Sequence, residues 1–175
     1  MSTNTLVVKD LSKTYIVNKR QNNVLRNVNF SLEKGEFVSV MGPSGSGKST
    51  LLYTVSGMDK MTSGEVTFFG KNIAELSEDK MADLRLTEMG FVFQQMHMLR
   101  NLSVFDNIIL SAYHSKNGRS ATNRREINEK ARDLMRKFDI IETADNDITE
   151  VSGGQLQRAC ICRAMINNPK MIFAD

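Results

Sequence analysis

A chain of 175 residues with 41% hydrophobic and 25% charged side chains has the size and composition of one globular domain, which excludes disordered, collagenous and low-complexity classes. Its apolar runs fall far short of the ~20 residues of a membrane helix, and Met1–Val8 lacks the basic and apolar regions of a secretory leader, so a cytoplasmic protein is expected. The net charge of +3, from 23 Lys and Arg against 20 Asp and Glu, is too weak to expect a nucleic-acid partner.

In chain order, Leu6–Leu11 alternates apolar with polar residues, and Val24, Val28, Phe30 and Leu32 fall on one side of an extended segment, which predicts two strands. Glu33–Glu36 reads as a turn, and Phe37–Met41 is a short apolar run expected as a buried parallel strand. A glycine-rich loop, Gly42–Gly47, leads into a helix from about Lys48 to Ser56, and Val66–Phe69 returns to strand. Ser77 opens a helix with Glu78 and Asp79 in its first turn, where carboxylates favour the helix dipole, and Gly90–Phe93 is strand again.

From residue 95 to about 167 the pattern is helical. Ser103 and Asp106 have the spacing of a capping box for a helix over Val104–Tyr113. His114–Thr122 is polar and is expected as a surface loop. Ile127, Ala131, Leu134 and Phe138 form one apolar stripe, while the basic run Arg119–Arg136, interleaved with Glu126, Glu129 and Asp133, is its solvated face. Gly153–Gly154 opens a last helix to about Asn167, Pro169 resets the chain, and Met171–Asp175 is expected as a strand. Cys160 and Cys162 have neither zinc-site nor redox-pair spacing and are read as reduced residues on different helix faces. The whole reads as α/β with a helical insert.

The chemistry centres on Gly42, Pro43, Ser44, Gly45, Ser46, Gly47, Lys48, Ser49 and Thr50, which fit G-x-x-x-x-G-K-[ST] between an apolar run and a helix. Chance supplies roughly 0.007 such matches in a chain of this composition. Glycines let successive backbone amides curl into a nest for phosphate oxygens, and the following helix dipole adds positive potential there. Lys48 reaches the β- and γ-phosphates, and the Ser49 hydroxyl is a ligand for Mg²⁺, so a nucleoside triphosphate is the expected ligand. A second Mg²⁺ anchor is needed beside such a loop, and Asp175 closes an apolar strand. Val151–Gln155 is a second small-residue turn opening a helix, with Ser152 as N-cap.

The order of these segments resembles the ATP-binding cassette family over essentially the whole chain: the P-loop, Phe93-Gln94, the run Val151–Arg158, and Met171–Asp175. Val151 stands where leucine is more usual. The resemblance implies a P-loop NTPase core, a mostly parallel sheet with flanking helices plus N-terminal antiparallel strands. It implies that residues 1–94 and 163–175 form the ATP-binding core and 95–162 an inserted helical subdomain. It further implies that Tyr15 stacks on adenine and that Gln94 touches Mg²⁺ and signals to a membrane subunit. Ser152, Gly153, Gly154 and Gln155 would cap the γ-phosphate of ATP held by a second nucleotide-binding domain in a head-to-tail dimer. The implied partners are that second domain and a transmembrane permease, with the chain peripheral on the inner face of the cell membrane.

Gly90–Gln94, Met98-Leu99 and Leu102–Asn107 are similar to ATPases of macrolide, lipoprotein and antimicrobial-peptide exporters. There the family docks a membrane partner's helix near Met96, Met98 and Leu99, for which core packing is the competing role. His97 has no visible acid–base partner. A GTPase is disfavoured: none of the ten aspartates has glycine three positions on, and Asn18-Lys19 is followed by Arg20-Gln21. A kinase or DNA-repair ATPase explains the P-loop but not the later segments. The sequence stops at Asp175, where the family continues with a catalytic glutamate, a D-loop and a switch histidine. The alternative is therefore a nucleotide-binding module without turnover, and 175 residues alone are expected to be unstable, to bind ATP poorly and to hydrolyse it negligibly.

Overall fold

A computed structural model of the chain describes residues 4–115 and 120–175. It begins with an antiparallel hairpin of β1 (Asn4–Val17) and β2 (Arg20–Glu33). Asn18 and Lys19 make the turn with φ of 51° and 62°, the left-handed geometry a two-residue hairpin turn requires and asparagine tolerates. The strand β3 (Ser63–Phe68) pairs antiparallel with β1, and the two-residue β4 (Lys71–Asn72) with β3, giving the order β2-β1-β3-β4. The alternation in β1 and β3 turns Leu6, Val8, Val66 and Phe68 into the protein, all at most 2% exposed.

The chain falls into two compact units, Met1–Met81 and Ala82–Asp175. In the first, α1 (Lys48–Val55) touches β1 and β2 and buries Thr54 and Val55. Its end is turned by Gly57 at φ 66°, with the Met58 and Asp59 amides both donating to the Tyr53 carbonyl. The helix α2 (Glu78–Glu88) carries Glu78 and Asp79 in its first turn, as its sequence predicts, and runs across the division.

In the second unit, β5 (Met89–Val92) and β6 (Met171–Ala174) form a parallel pair. Three helices, α3 (Val104–His114), α4 (Ala121–Lys137) and α5 (Gly153–Met165), enclose a core that includes Ile108, Ala131, Met135, Ile140, Ala159 and Cys162. Ser103 caps α3 by accepting from the Asp106 amide, and Ile127, Leu134 and Phe138 pack along the predicted stripe. Both cysteines are buried and free. Of the expected loop His114–Thr122, residues 116–119 lie outside the described residues, and His114, Ala121 and Thr122 are helical. No helix among the described residues is long and apolar enough to cross a membrane.

One expected element is absent. Phe37–Met41 is not a strand, and its side chains are exposed, Phe37 at 98%. An apolar run becomes a buried parallel strand only when other strands pair with it, and neither described sheet supplies a partner. Parallel pairing among the described residues is confined to β5 and β6.

Candidate functional site

The glycine loop ends at α1. Gly45 and Gly47 adopt φ of 78° and 92°, and a Cβ on Gly47 would come to 3.0 Å from Val24 Cγ1, so this position needs glycine on both counts. The Ser46 amide donates to the Pro43 carbonyl at 3.3 Å, which tightens the loop. The helix's first bond then runs from the Leu51 amide to Gly47 O at 2.8 Å. Lys48 folds back and donates from Nζ to Pro43 O at 2.9 Å, which lays its ammonium along the loop it follows. An ammonium, hydroxyls, and first-turn amides that a helix leaves without internal acceptors are a donor set for a polyanion with many oxygens.

Tyr15, on β1, joins a polar cluster just beyond the end of α1 through its hydroxyl. The phenol donates to Asp59 Oδ2 at 2.5 Å. Lys13 completes the cluster, donating from Nζ to Asp59 Oδ1 and to the Lys60 carbonyl, both at 2.6 Å, and lying 4.7 Å from the Tyr15 ring centroid. The hydrogen bond to Asp59, with burial and the charge of that carboxylate, raises the Tyr15 pKa above its ordinary 10.0. Burial pushes Asp59 upward, but the hydrogen bonds from Lys13 and Tyr15 and the Lys13 charge outweigh it and hold the carboxyl below 3.8.

Gln94 and Asp175 arrive at one end of the second unit's sheet. The register pairs Val92 with Ala174, so Asp175 stands one residue and Gln94 two residues beyond the last pair, and the Asp175 amide donates to Val92 O at 2.9 Å. Both residues are exposed. Beneath them the Phe91 ring stacks on Phe93 and Phe173, with centroids 5.8 and 5.6 Å away, which stiffens the strand end.

The run Val151–Arg158 opens α5 through a full capping box. The Ser152 hydroxyl accepts from the Gln155 amide at 3.3 Å, and Gln155 Oε1 accepts from the Ser152 amide at 2.8 Å. Gly153 and Gly154 are exposed, and Cβ atoms there would meet nothing within 4 Å, so the helix N-terminus is sterically open. Nearly three turns on, Arg163 donates to Met96 O at 2.7 Å and to His97 O at 3.0 Å, which ties α5 to the segment after Gln94. In that segment Met98 packs on the helical core while Leu99 is 46% exposed, so core packing and surface presentation are divided between them. His97 is exposed, edge-on to Phe93.

Sequence reasoning missed Lys13, Asp59, Asn107 and Arg163. Asn107 is 2% exposed, and its amide bonds to Leu99, Leu102 and Ser103 hold the stretch before α3. The nearest signal was its place in the exporter-like run Leu102–Asn107. Nothing in spacing linked Lys13 or Asp59 to Tyr15.

The loop before α1, the α/β architecture and the capped glycines of α5 define a P-loop protein with a second, signature-type helix start. The ABC transporter family model matches residues 25–175, and the chain belongs to that family. It is similar to the macrolide export ATP-binding/permease protein MacB of Bdellovibrio bacteriovorus, at 38% identity over 96% of this chain and 25% of MacB. It is 39% identical to the lipoprotein-releasing system ATP-binding protein LolD of Wigglesworthia glossinidia brevipalpis, over 97% of this chain and 72% of LolD. The bacitracin export ATP-binding protein BceA of Halalkalibacterium halodurans is 38% identical over 97% of this chain and 65% of BceA. The chain thus spans about a quarter of MacB but most of LolD. The dimeric structure of MJ0796, a bacterial ABC transporter cassette, superposes with a TM-score of 0.89 at 36% identity, over 97% of this chain and 73% of that one. Its dimeric post-hydrolysis state bound to ADP and Pi gives 0.86 at 35% identity, with the same coverage.

Proposed function

We propose that this chain is the ATP-binding and ATP-hydrolysing cassette of a membrane exporter of the peptide, lipoprotein or drug type. It acts as a head-to-tail pair with a second nucleotide-binding domain and sits on the inner face of the cell membrane through a permease. Residues 1–94 and 163–175 form the ATP-binding core, and 95–162 the helical subdomain. The single observation that carries this reading is that the chain owns two glycine-flanked helix starts of different kinds. The N-terminus of α1 has Lys48 beside it and suits a polyphosphate by itself. The N-terminus of α5 is open and has no charged residue in its first turn, which suits covering a phosphate already held by another chain.

In this reading Gly42–Gly47 wrap the phosphates with backbone amides, and Lys48 neutralises charge on the β- and γ-phosphates as the bond to the γ-phosphorus breaks. Tyr15 stacks on the adenine. Ser49, Gln94 and Asp175 offer a hydroxyl, an amide oxygen and a carboxylate, hard oxygen donors that fit Mg²⁺. When bound, that ion supplies charge neutralisation on the phosphate oxygens. Ser152, Gly153, Gly154 and Gln155 point the α5 amides at the γ-phosphate held by the partner, so closure depends on the triphosphate and reopening on its cleavage. Gln94 is the link from nucleotide to the segment Met96–Leu99, where the permease docks.

Ser152→Arg tests this on the full-length protein. A bulky cation at the α5 start should abolish ATP-dependent dimerisation and turnover while leaving ATP binding to the single chain nearly intact. Loss of binding together with dimerisation would count against the shared site.

A further inference from the structure

We infer that Asp59 and Lys13 are positioning residues for the base: they clamp the Tyr15 ring in one orientation for stacking on it. The inference rests on the reading of Tyr15 as the stacking residue and extends it to two residues with no part in the phosphate loop.

Tyr15 is 36% exposed near the end of a hairpin whose next residues, Ile16 and Val17, are more exposed still. Apolar packing alone therefore leaves the ring free to turn about its side-chain torsions, and a stacking platform that rotates gives up part of the contact it offers. What restrains it is polar. The hydroxyl is held by Asp59, which lies just beyond α1, so one phenol oxygen ties the ring to the end of the helix that begins at the glycine loop. Asp59 is itself fixed by Lys13, which is only 8% exposed and anchored on the Lys60 carbonyl. The Asp59 backbone is set by the amide bond to Tyr53 O that closes α1, at 3.0 Å.

Lys13 has a second effect. Its ammonium occupies one face of the Tyr15 ring at 4.7 Å, so a base can stack only on the other face. An aromatic ring with a cation on one side and a clamped hydroxyl presents a single, fixed platform. Purine area then decides affinity, because the ring cannot swing to follow a smaller base.

Binding of Mg·ATP and of Mg·triphosphate to the full-length protein, measured by calorimetry, separates base from phosphate. Tyr15→Ala should weaken ATP about tenfold or more and leave triphosphate unchanged, as loss of base–aromatic stacking does. Asp59→Ala and Tyr15→Phe should each weaken ATP about three- to fivefold with triphosphate unchanged, a partial loss of that stacking. The double variant should be no worse than Tyr15→Phe alone, since both remove one bond. Asp59→Asn, whose amide oxygen still accepts the Tyr15 proton, should recover part of the affinity and covers the case in which Asp59→Ala does not fold. If Tyr15→Ala leaves ATP binding unchanged, the stacking reading fails and the inference with it. If Tyr15→Ala weakens ATP but Asp59→Ala and Tyr15→Phe do not, or if the two are additive, the positioning role is overturned and stacking stands. Equal weakening of ATP and triphosphate by Asp59→Ala marks a merely structural residue and also overturns it.

Discussion

Replacing Asn107 by leucine keeps the branched shape and heavy-atom count of the side chain and removes every polar atom from a position that is 2% exposed. The Asn107 amide oxygen accepts from Leu99 N–H at 2.7 Å, and its NH₂ donates to the carbonyls of Leu99, Leu102 and Ser103 at 3.0, 3.2 and 2.9 Å. Two of these groups have other partners, Leu99 O from the Leu102 amide at 3.3 Å and Ser103 O from the Asn107 amide at 3.0 Å. The Leu99 amide and the Leu102 carbonyl are the two left without a bond, and since both bonds are only part-buried, about 1–3 kcal/mol for each is an upper bound. The expected loss is therefore at most about 2–6 kcal/mol, against a total stability of about 5–15 kcal/mol. Denaturant unfolding of the wild type and Asn107→Leu measures it directly. Asn107→Asp should be at least as destabilising at neutral pH, because it keeps the acceptor for Leu99 but turns a buried carboxylate onto three carbonyl oxygens. A loss below about 1 kcal/mol in Asn107→Leu would refute the reasoning, for it would mean that the 99–103 segment finds its bonds elsewhere.

Three further outcomes are expected. Gly90→Ala would put a Cβ 2.5 Å from the Ala164 carbonyl of α5 and 3.0 Å from Pro169 Cγ, so it should cost about 1–3 kcal/mol in denaturant unfolding where an open glycine site would gain. Burial raises the Cys162 thiol to about 12 and lifts Cys160 as well, the latter against the Arg163 charge, so neither should react with a thiol reagent at about pH 8 until the chain is unfolded. The protonated Tyr15 phenol is held above its ordinary 10.0 by the bond to Asp59. Its contribution to stability is complete below that value and is lost as pH rises through the raised one. Ultraviolet titration of Asp59→Asn should then show one of the three tyrosines moving back toward 10.0, and an unchanged titration would contradict the assignment.

What the sequence made legible was local in the chain. The glycine loop, the caps at Ser103 and Ser152, and the α4 stripe each depend on residues within a turn or two, and their spacing survives folding intact. Phe37–Met41 marks the limit of that logic, since hydrophobicity favours a buried strand but does not name the strands that must flank it. Asn18-Lys19 was informative only as a failed GTPase motif, although asparagine in a two-residue gap between strands is itself a turn signal. Lys13 and Asp59 stand 46 positions apart, and Arg163 stands 67 from Met96, so only the folded chain brings them together. The candidate site residues announced themselves by motif; Lys13, Asp59 and Arg163 did not.

The central claim is that one ATP site is built from the glycine loop of one chain and the α5 start of another. Mixing two variants of the full-length protein tests it: Lys48→Ala, which spoils the loop, and Ser152→Arg, which spoils the α5 start. Light scattering with ATP should find each variant monomeric alone. The equimolar mixture should form dimers, because a heterodimer pairs one intact loop with one intact signature. A mixture that stays monomeric, or either variant dimerising alone, would contradict the shared site.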